Sequence, residues 1–284
     1  MNWQKSSLKK LTTFKIGGKL DHFIEPRDEA ELRAALLFAK RKRKKVFIIG
    51  AGSNILAPDR GLAGVVIRLR AADFSKINVK GNIIECGAGV YLARFLSAAK
   101  DFGLTGAEFL VGIPGTIGGA LVMNAGGWGK GIGGLVKDIL VMDYNGRVKI
   151  IKSKEAGFSY RNSKLNRCII LGARFTLKKG RKSTISASIK KYLDYRRKSQ
   201  DNSLPNAGCI FKNPAQGSAG LFIDACGLKG MRRAGALVSE RHANFILNAG
   251  GAKAKDVLKL IDLVSHKVND EFGIKLEPEI RIWK

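Results

Sequence analysis

The segment Gly103–Gly134, "GLTGAEFLVGIPGTIGGALVMNAGGWGKGIGG", holds twelve glycines in 32 positions. Glycine this dense belongs where the backbone must bend sharply or be approached closely. Phe109, Leu110, Val111, Ile113, Leu121, Val122 and Met123 lie within the run, so it is not a floppy linker. Ordered glycine-rich backbone with apolar content suits contact with a bulky flat ligand. Pro114 followed by Gly-Thr-Ile-Gly-Gly predicts a short helix whose free N–H groups would face a diphosphate.

A second glycine segment, "IIGAGSNIL", follows an apolar strand. It fails as a dinucleotide fingerprint, because Ile55 stands where the third glycine would let a helix pack closely, and Pro58 and Asp59 break any helix there. "GKGIGG" (Gly129–Gly134) fits the same pattern formally but follows no strand, and is read as chance. No G-x-x-x-x-G-K-[ST] occurs. "GAGSN" is instead an anion-binding turn, in which small residues let successive N–H groups converge while Ser53 and Asn54 add donors.

Around these segments the order is strand ("HFIEP"), helix from Asp28, strand ("KVFIIG"), glycine turn and strand ("GVVIRL"), a βαβ unit followed by more strand. In the helix, Asp28 is the expected N-cap, Glu31 completes a capping box, and Leu32, Ala35, Leu36 and Ala39 share one face. Further strands are expected at "NIIECGAG", at "KDILVMDYNGRVKIIK", split by the Asn145-Gly146 turn, and at "CIILGARFTLKK". "VYLARFLSAAKDFGL" reads as a helix ending on Gly103. Beyond the charged "GRKS" come helices at "STISASIKKYLDYRRKSQ" and "AKAKDVLKLIDLVSHKVNDEFG", then a strand-like "IKLEPEIRIW". Strands and helices mix without strict alternation, which predicts an α+β protein. The boundary falls at 180/181: residues 1–180 form one domain, in two lobes split near 60–70. Residues 181–284 form a second, whose last strand returns toward the active site.

Cys86, Cys168, Cys209 and Cys226 lie far apart with no C-x-x-C pair and no histidine cluster, so no metal site and no disulfide framework are expected. The first residues lack the apolar core of a signal peptide, and no run approaches the ~20 apolar residues of a membrane span. A cytoplasmic protein follows as the expectation. The net charge of +28 includes "KRKRKK" at Lys40–Lys45. Basic blocks can mark nucleic-acid binding. Here the excess is spread along the chain, and this block suits the C-terminal end of a helix dipole, so no nucleic-acid partner is expected, although the charge should draw in anionic small molecules.

"TTFKIGG", "IIGAGSNIL", "GIPGTIGGALVMNAGGWG", "FSYRNSKL", "AGCIFKNP", "AGLFIDACGLKG", "VSERHANFILN" and "LEPEIRI" occur in this order from about Thr12 to Arg281. In this the chain resembles the UDP-N-acetylenolpyruvoylglucosamine reductases, flavin enzymes of peptidoglycan precursor synthesis, in their shorter subtype. The resemblance implies an FAD-binding domain of the vanillyl-alcohol-oxidase type in two lobes, followed by an α+β substrate domain. It implies FAD as bound cofactor, NADPH as co-substrate and a UDP-sugar as substrate, with a monomer expected. FAD would lie on Gly50, Ala51, Gly52, Ser53 and Asn54, and on Gly118, Gly119, Asn124, Ala125 and Gly126. Arg161 would meet the substrate carboxylate, Glu279 would stabilise the enolate-like intermediate, and Asn213, with Lys212, would help hold the substrate.

Spacing alone leaves Cys209 as metal ligand, nucleophile, packing residue or proton donor. Many relatives carry a serine there as proton donor, and a thiol, with a reference pKa of ~8.5, is the more acidic donor. Glu277 and Glu279 share a strand face, so only the motif match favours Glu279. A second departure is Gln200-Asp201, where Gln-Pro is common; it loosens Arg196 and Arg197 as pyrophosphate contacts. His242 in "RHANF" is read as a fold-supporting residue. Two alternatives stand beside the reductase: another FAD-dependent oxidoreductase of the superfamily, and a basic nucleic-acid-binding module.

Overall fold

The computed structural model describes residues 2–284. They form two compact units, one of residues 2–4, 22–51 and 63–196, the other of residues 5–21, 52–62 and 197–284. The boundary thus lies at Arg196/Arg197 rather than at 180/181. The reason is the helix Lys182–Ser199, which buries Ile185 and packs Tyr192 against Trp128 in the first unit. The second unit also draws on the amino-terminal half, because Phe14, Ile16 and Leu56 enter its core.

In the first unit a three-stranded sheet has the order Leu20–Ile24, Leu62–Arg68, Lys45–Ile49, and its last two strands run parallel. The helix Glu29–Arg41 links the outer strands and buries Leu32, Ala35, Leu36 and Ala39, as the spacing predicts. Asp28 caps it by accepting the Glu31 N–H at 2.8 Å. Glu31 returns the bond to the N–H of Arg27, one residue before the expected partner.

A five-stranded antiparallel sheet follows, in the order Val148–Lys152, Val136–Met142, Ile169–Thr176, Ile83–Gly87, Ile77–Lys80. The helix Leu92–Asp101 buries Leu92, Phe95, Leu96 and Ala99, with Phe95 against Phe175. The hairpin at Asn145-Gly146 is held by Asp143, whose carboxylate accepts the Asn145 and Arg147 N–H groups.

Register places Asp138 opposite both Lys152 and Arg174. Arg174 grips the buried carboxylate with two bonds of 2.7 and 2.6 Å. Those bonds hold the Asp138 pKa below the usual carboxylate value although burial opposes them. A depressed carboxyl stabilises the fold fully above its unfolded pKa of ~3.9 and loses that contribution as pH falls through the lower folded value. Asp138→Asn should therefore cost about 1–3 kcal/mol near neutrality and flatten the acid limb of thermal unfolding; an unchanged acid limb would rule out this linkage.

The second unit holds a four-stranded antiparallel sheet in the order Asn206–Cys209, Phe245–Asn248, Ala236–Val238, Arg232–Arg233. The helix Ala254–Phe272 packs with it through Val257, Leu260, Ile261, Val264 and Val268. In the strand-like carboxyl terminus only Arg281–Ile282 forms a regular strand, running parallel to Ile55–Leu56, just past the glycine turn. The described residues contain no helix long and apolar enough to cross a membrane and no metal-holding cluster of His, Cys, Asp or Glu, and their four cysteines form no disulfide.

Candidate active site

In the first unit the glycine turn meets the short helix Ile117–Val122. A side chain on Gly50 would stand 2.5 Å from Thr116 Oγ1, and Thr116 caps that helix through the Gly119 N–H. A Cβ on Gly118 would press on Ala88 at 3.1 Å, while Gly119 faces open space apart from Thr116 Oγ1. Gly50 and Gly118 are kept bare by close packing on Thr116 and Ala88, which brings the turn and the helix start together, and Gly119 leaves room beside Thr116. Backbone this bare suits the close approach of a diphosphate. Ala51 completes the first unit's share of the turn, and Gly52, Ser53 and Asn54 belong to the second.

Gly52 has φ +67° and its Cβ would lie 2.0 Å from Leu11 O. Thr13 N–H donates to the Gly52 carbonyl at 3.1 Å, which gives "TTF" a local purpose that spacing did not disclose. Gly52→Ala should strain the turn by about 1–3 kcal/mol and lower retention of a turn-bound cofactor. Undiminished cofactor retention after gel filtration would show that the turn tolerates the change.

Asn124 sits at φ +43°. Its Oδ1 accepts the Gly133 N–H and its Nδ2 donates to Ser159 O, both at 2.9 Å. A Cβ on Gly131 would lie 2.5 Å from that amide, so packing on Asn124 requires this one glycine of the motif read as chance, whereas Gly133 is kept bare by Phe158. Gly126–Gly127 pairs with Lys130–Gly131 in a tight ribbon. Arg161, at φ +52°, donates through Nη1 to Gly126 O at 3.1 Å, and its guanidinium lies over the Tyr160 ring. Arg161, Asn124, Ala125 and Gly126 are therefore brought together. Arg196 stacks on Trp128 and donates to Phe109 O at 3.3 Å.

In the second unit Cys209 is half-buried against Leu237, Phe245 and Leu247. A register shift between Asn206 and Cys209, with Gly208 at φ +76°, sets Cys209 opposite Phe245. The next residue, Ile210, accepts the Glu279 N–H at 2.7 Å. Asn54 Nδ2 donates to Glu279 O at 3.3 Å, and Asn54 O accepts the Arg281 N–H at 2.9 Å. Asn54, Cys209 and Glu279 thus lie on adjoining segments.

The two glutamates separate clearly. Glu277 is largely exposed and pairs with Lys212 Nζ at 3.0 Å, whereas Glu279 is half-buried. Asn213 accepts the Ala219 N–H at 3.1 Å and so anchors the helix Ala219–Ala225. The His242 ring packs on Phe245 at 4.4 Å, and burial lowers its pKa and favours the neutral imidazole.

Residues 199–283 match the family description "UDP-N-acetylenolpyruvoylglucosamine reductase, C-terminal domain", and residues 20–151 match "FAD binding domain". UDP-N-acetylenolpyruvoylglucosamine reductase 2 of Symbiobacterium thermophilum is 39% identical over 97% of this chain and 90% of its own. The enzyme of Moorella thermoacetica is 42% identical over 97% and 91%. The crystal structure of UDP-N-acetylenolpyruvylglucosamine reductase from Thermus caldophilus superimposes with a TM-score of 0.86 at 35% identity, covering 100% of both chains. A solvent-stable cholesterol oxidase shares the fold over 63% of this chain and 38% of its own, with a TM-score of 0.51 at 19% identity.

Proposed function

The chain belongs to the UDP-N-acetylenolpyruvoylglucosamine reductase family, and from that premise we propose that it reduces UDP-N-acetyl-3-O-(1-carboxyvinyl)-glucosamine to UDP-N-acetylmuramate for peptidoglycan synthesis. It is an FAD-containing, NADPH-dependent oxidoreductase. Its α+β fold joins an FAD-binding domain of the vanillyl-alcohol-oxidase type to a substrate domain. Gly50–Asn54, Gly118, Gly119 and Asn124–Gly126 would hold FAD, which supplies relay of hydride from NADPH to the substrate's double bond.

The polypeptide must handle what hydride addition leaves behind. A hydride on the methylene carbon places negative charge on the α-carbon and its carboxylate, which then needs stabilisation and a proton. Arg161 is suited to the carboxylate, since a guanidinium fork pairs both oxygens and stays charged. Cys209 donates its thiol proton to the α-carbon. Glu279, in its protonated form, hydrogen-bonds the enolate-like oxygen. Asn213 helps hold the substrate through its side-chain amide. The observation that carries this reading is the bond from Glu279 N–H to Ile210 O, which joins the proposed acid's strand to the segment of the proposed enolate stabiliser.

The remainder of the proposal is a cytoplasmic monomer with no nucleic-acid or membrane partner. The spectrum of the purified protein tests the whole. It should be yellow, bleach anaerobically with NADPH, and recover its colour on addition of the enolpyruvyl sugar nucleotide. A colourless protein that FAD cannot reconstitute would sink it, and bleaching without substrate-driven recovery would favour another oxidoreductase of the same fold.

A further inference from the structure

The second unit buries a carboxylate for which the mechanism above has no role. Asp201 is 7% exposed. One oxygen accepts the Ser203 N–H at 3.0 Å and the Ser203 hydroxyl at 2.5 Å, and the other accepts the Ser239 hydroxyl at 2.6 Å. Burial pushes this carboxyl's pKa up, but the Ser203 and Ser239 donors and the nearby Arg241 outweigh it and hold the group ionised.

Two chains of hydrogen bonds leave Asp201, one from its main-chain carbonyl toward Gly208 and one from its carboxylate toward Phe245. Along the first, Asn206 Nδ2 donates to Asp201 O at 3.1 Å and Asn206 Oδ1 accepts the Gly208 N–H at 2.9 Å. Gly208 is the left-handed residue of the bulge that places Cys209. Along the second, Ser239 Oγ accepts the N–H groups of Arg241 and His242 at 3.1 and 3.0 Å. His242 in turn accepts the Phe245 N–H at 2.8 Å and lays its ring on Phe245. Phe245 is the cross-strand partner of Cys209. Arg241 extends the clamp to the carbonyls of Arg197 and Lys198.

We infer that Asp201 is a positioning residue for Cys209: its carboxylate fixes the turn that leads into the partner strand and, through Ser203, holds the loop from which its own carbonyl anchors the bulge that carries the thiol. The inference rests on the reading of Cys209 as the proton donor. Without the carboxylate, the buried Ser239 hydroxyl loses its acceptor, Ser203 loses both of its bonds to the other oxygen, and the turns at 203–206 and 239–242 lose their shared anchor. A donor displaced by even an ångström delivers its proton poorly.

The test compares half-reactions of the holoenzyme under anaerobic stopped flow. Asp201→Ala should slow reoxidation by the enolpyruvyl sugar nucleotide about 10- to 100-fold while flavin reduction by NADPH stays within about twofold. Asp201→Asn, which keeps an acceptor oxygen, should recover most of the loss. In a Cys209→Ala background, Asp201→Ala should change reoxidation by less than about twofold, because a residue acting through Cys209 has nothing left to position. Alkylation at Cys209, followed by mass spectrometry without substrate, should change rate in Asp201→Ala and return toward the parent in Asp201→Asn. Equal slowing of both half-reactions, or the same loss in the Cys209→Ala background, would overturn the inference. Should Asp201→Ala not fold, Ser239→Ala and Asp201→Asn make the same comparison. Parent-like reoxidation in Cys209→Ala would defeat the donor reading itself, whereas a crippled Cys209→Ala beside parent-like Asp201 variants would defeat the positioning role alone.

Discussion

Cys209→Ala is expected to leave flavin reduction by NADPH within about twofold of the parent while slowing substrate-driven reoxidation by about 10²–10⁴-fold, the usual scale of a lost general acid. The asymmetry follows from where the proton is needed. Reduction of the cofactor asks nothing of the thiol, but hydride addition to the substrate is completed only when the α-carbon is protonated. Cys209→Ser should retain appreciable activity, because the hydroxyl occupies nearly the same place and still carries a transferable proton. Equal loss in both half-reactions would mean that the substitution disturbed packing against Leu237, Phe245 and Leu247 rather than removing a donor.

The second large effect is expected at Arg161. Arg161→Ala should lower kcat/KM by about 10²–10³-fold, with the loss in both kcat and KM, because the guanidinium is proposed to bind the ground-state carboxylate and to stabilise the charge that grows on it. Arg161→Lys should recover only part of this, since an ammonium keeps the charge but not the two-pronged fit. Arg161 also bonds Gly126 O and sits at φ +52°, so flavin content must be measured alongside. A loss that tracks flavin content alone would assign Arg161 to the glycine ribbon, and unchanged kinetics would remove it from the site.

Local chemistry was readable from the chain to a useful depth. Asp28, the apolar stripe from Leu32 to Ala39 and the Asn145-Gly146 turn all act within a few residues, and each forms as its sequence implies. The glycine turn and the Pro114–Gly119 segment were each legible as tight, bare backbone, but not their meeting at Gly50 and Thr116. That contact joins residues far apart in sequence.

The same limit explains the domain boundary. Residues 52–62 join the second unit because Ile55–Leu56 pairs with Arg281–Ile282 at the other end of the chain. Read as a strand, the segment would put Glu277 and Glu279 on one face; no regular strand forms there, and Lys212, from another segment, draws Glu277 into a surface ion pair. Asp201 read as a mere departure from the common Gln-Pro. Its function in the fold comes from Ser239, 38 residues away.

A crystal structure of the flavoprotein with the enolpyruvyl sugar nucleotide bound tests the central claim most directly. Proton donation by Cys209 predicts its sulfur within about 4 Å of the substrate's α-carbon, close enough for direct transfer. A sulfur well beyond that reach, with another acidic group at the carbon instead, would contradict it.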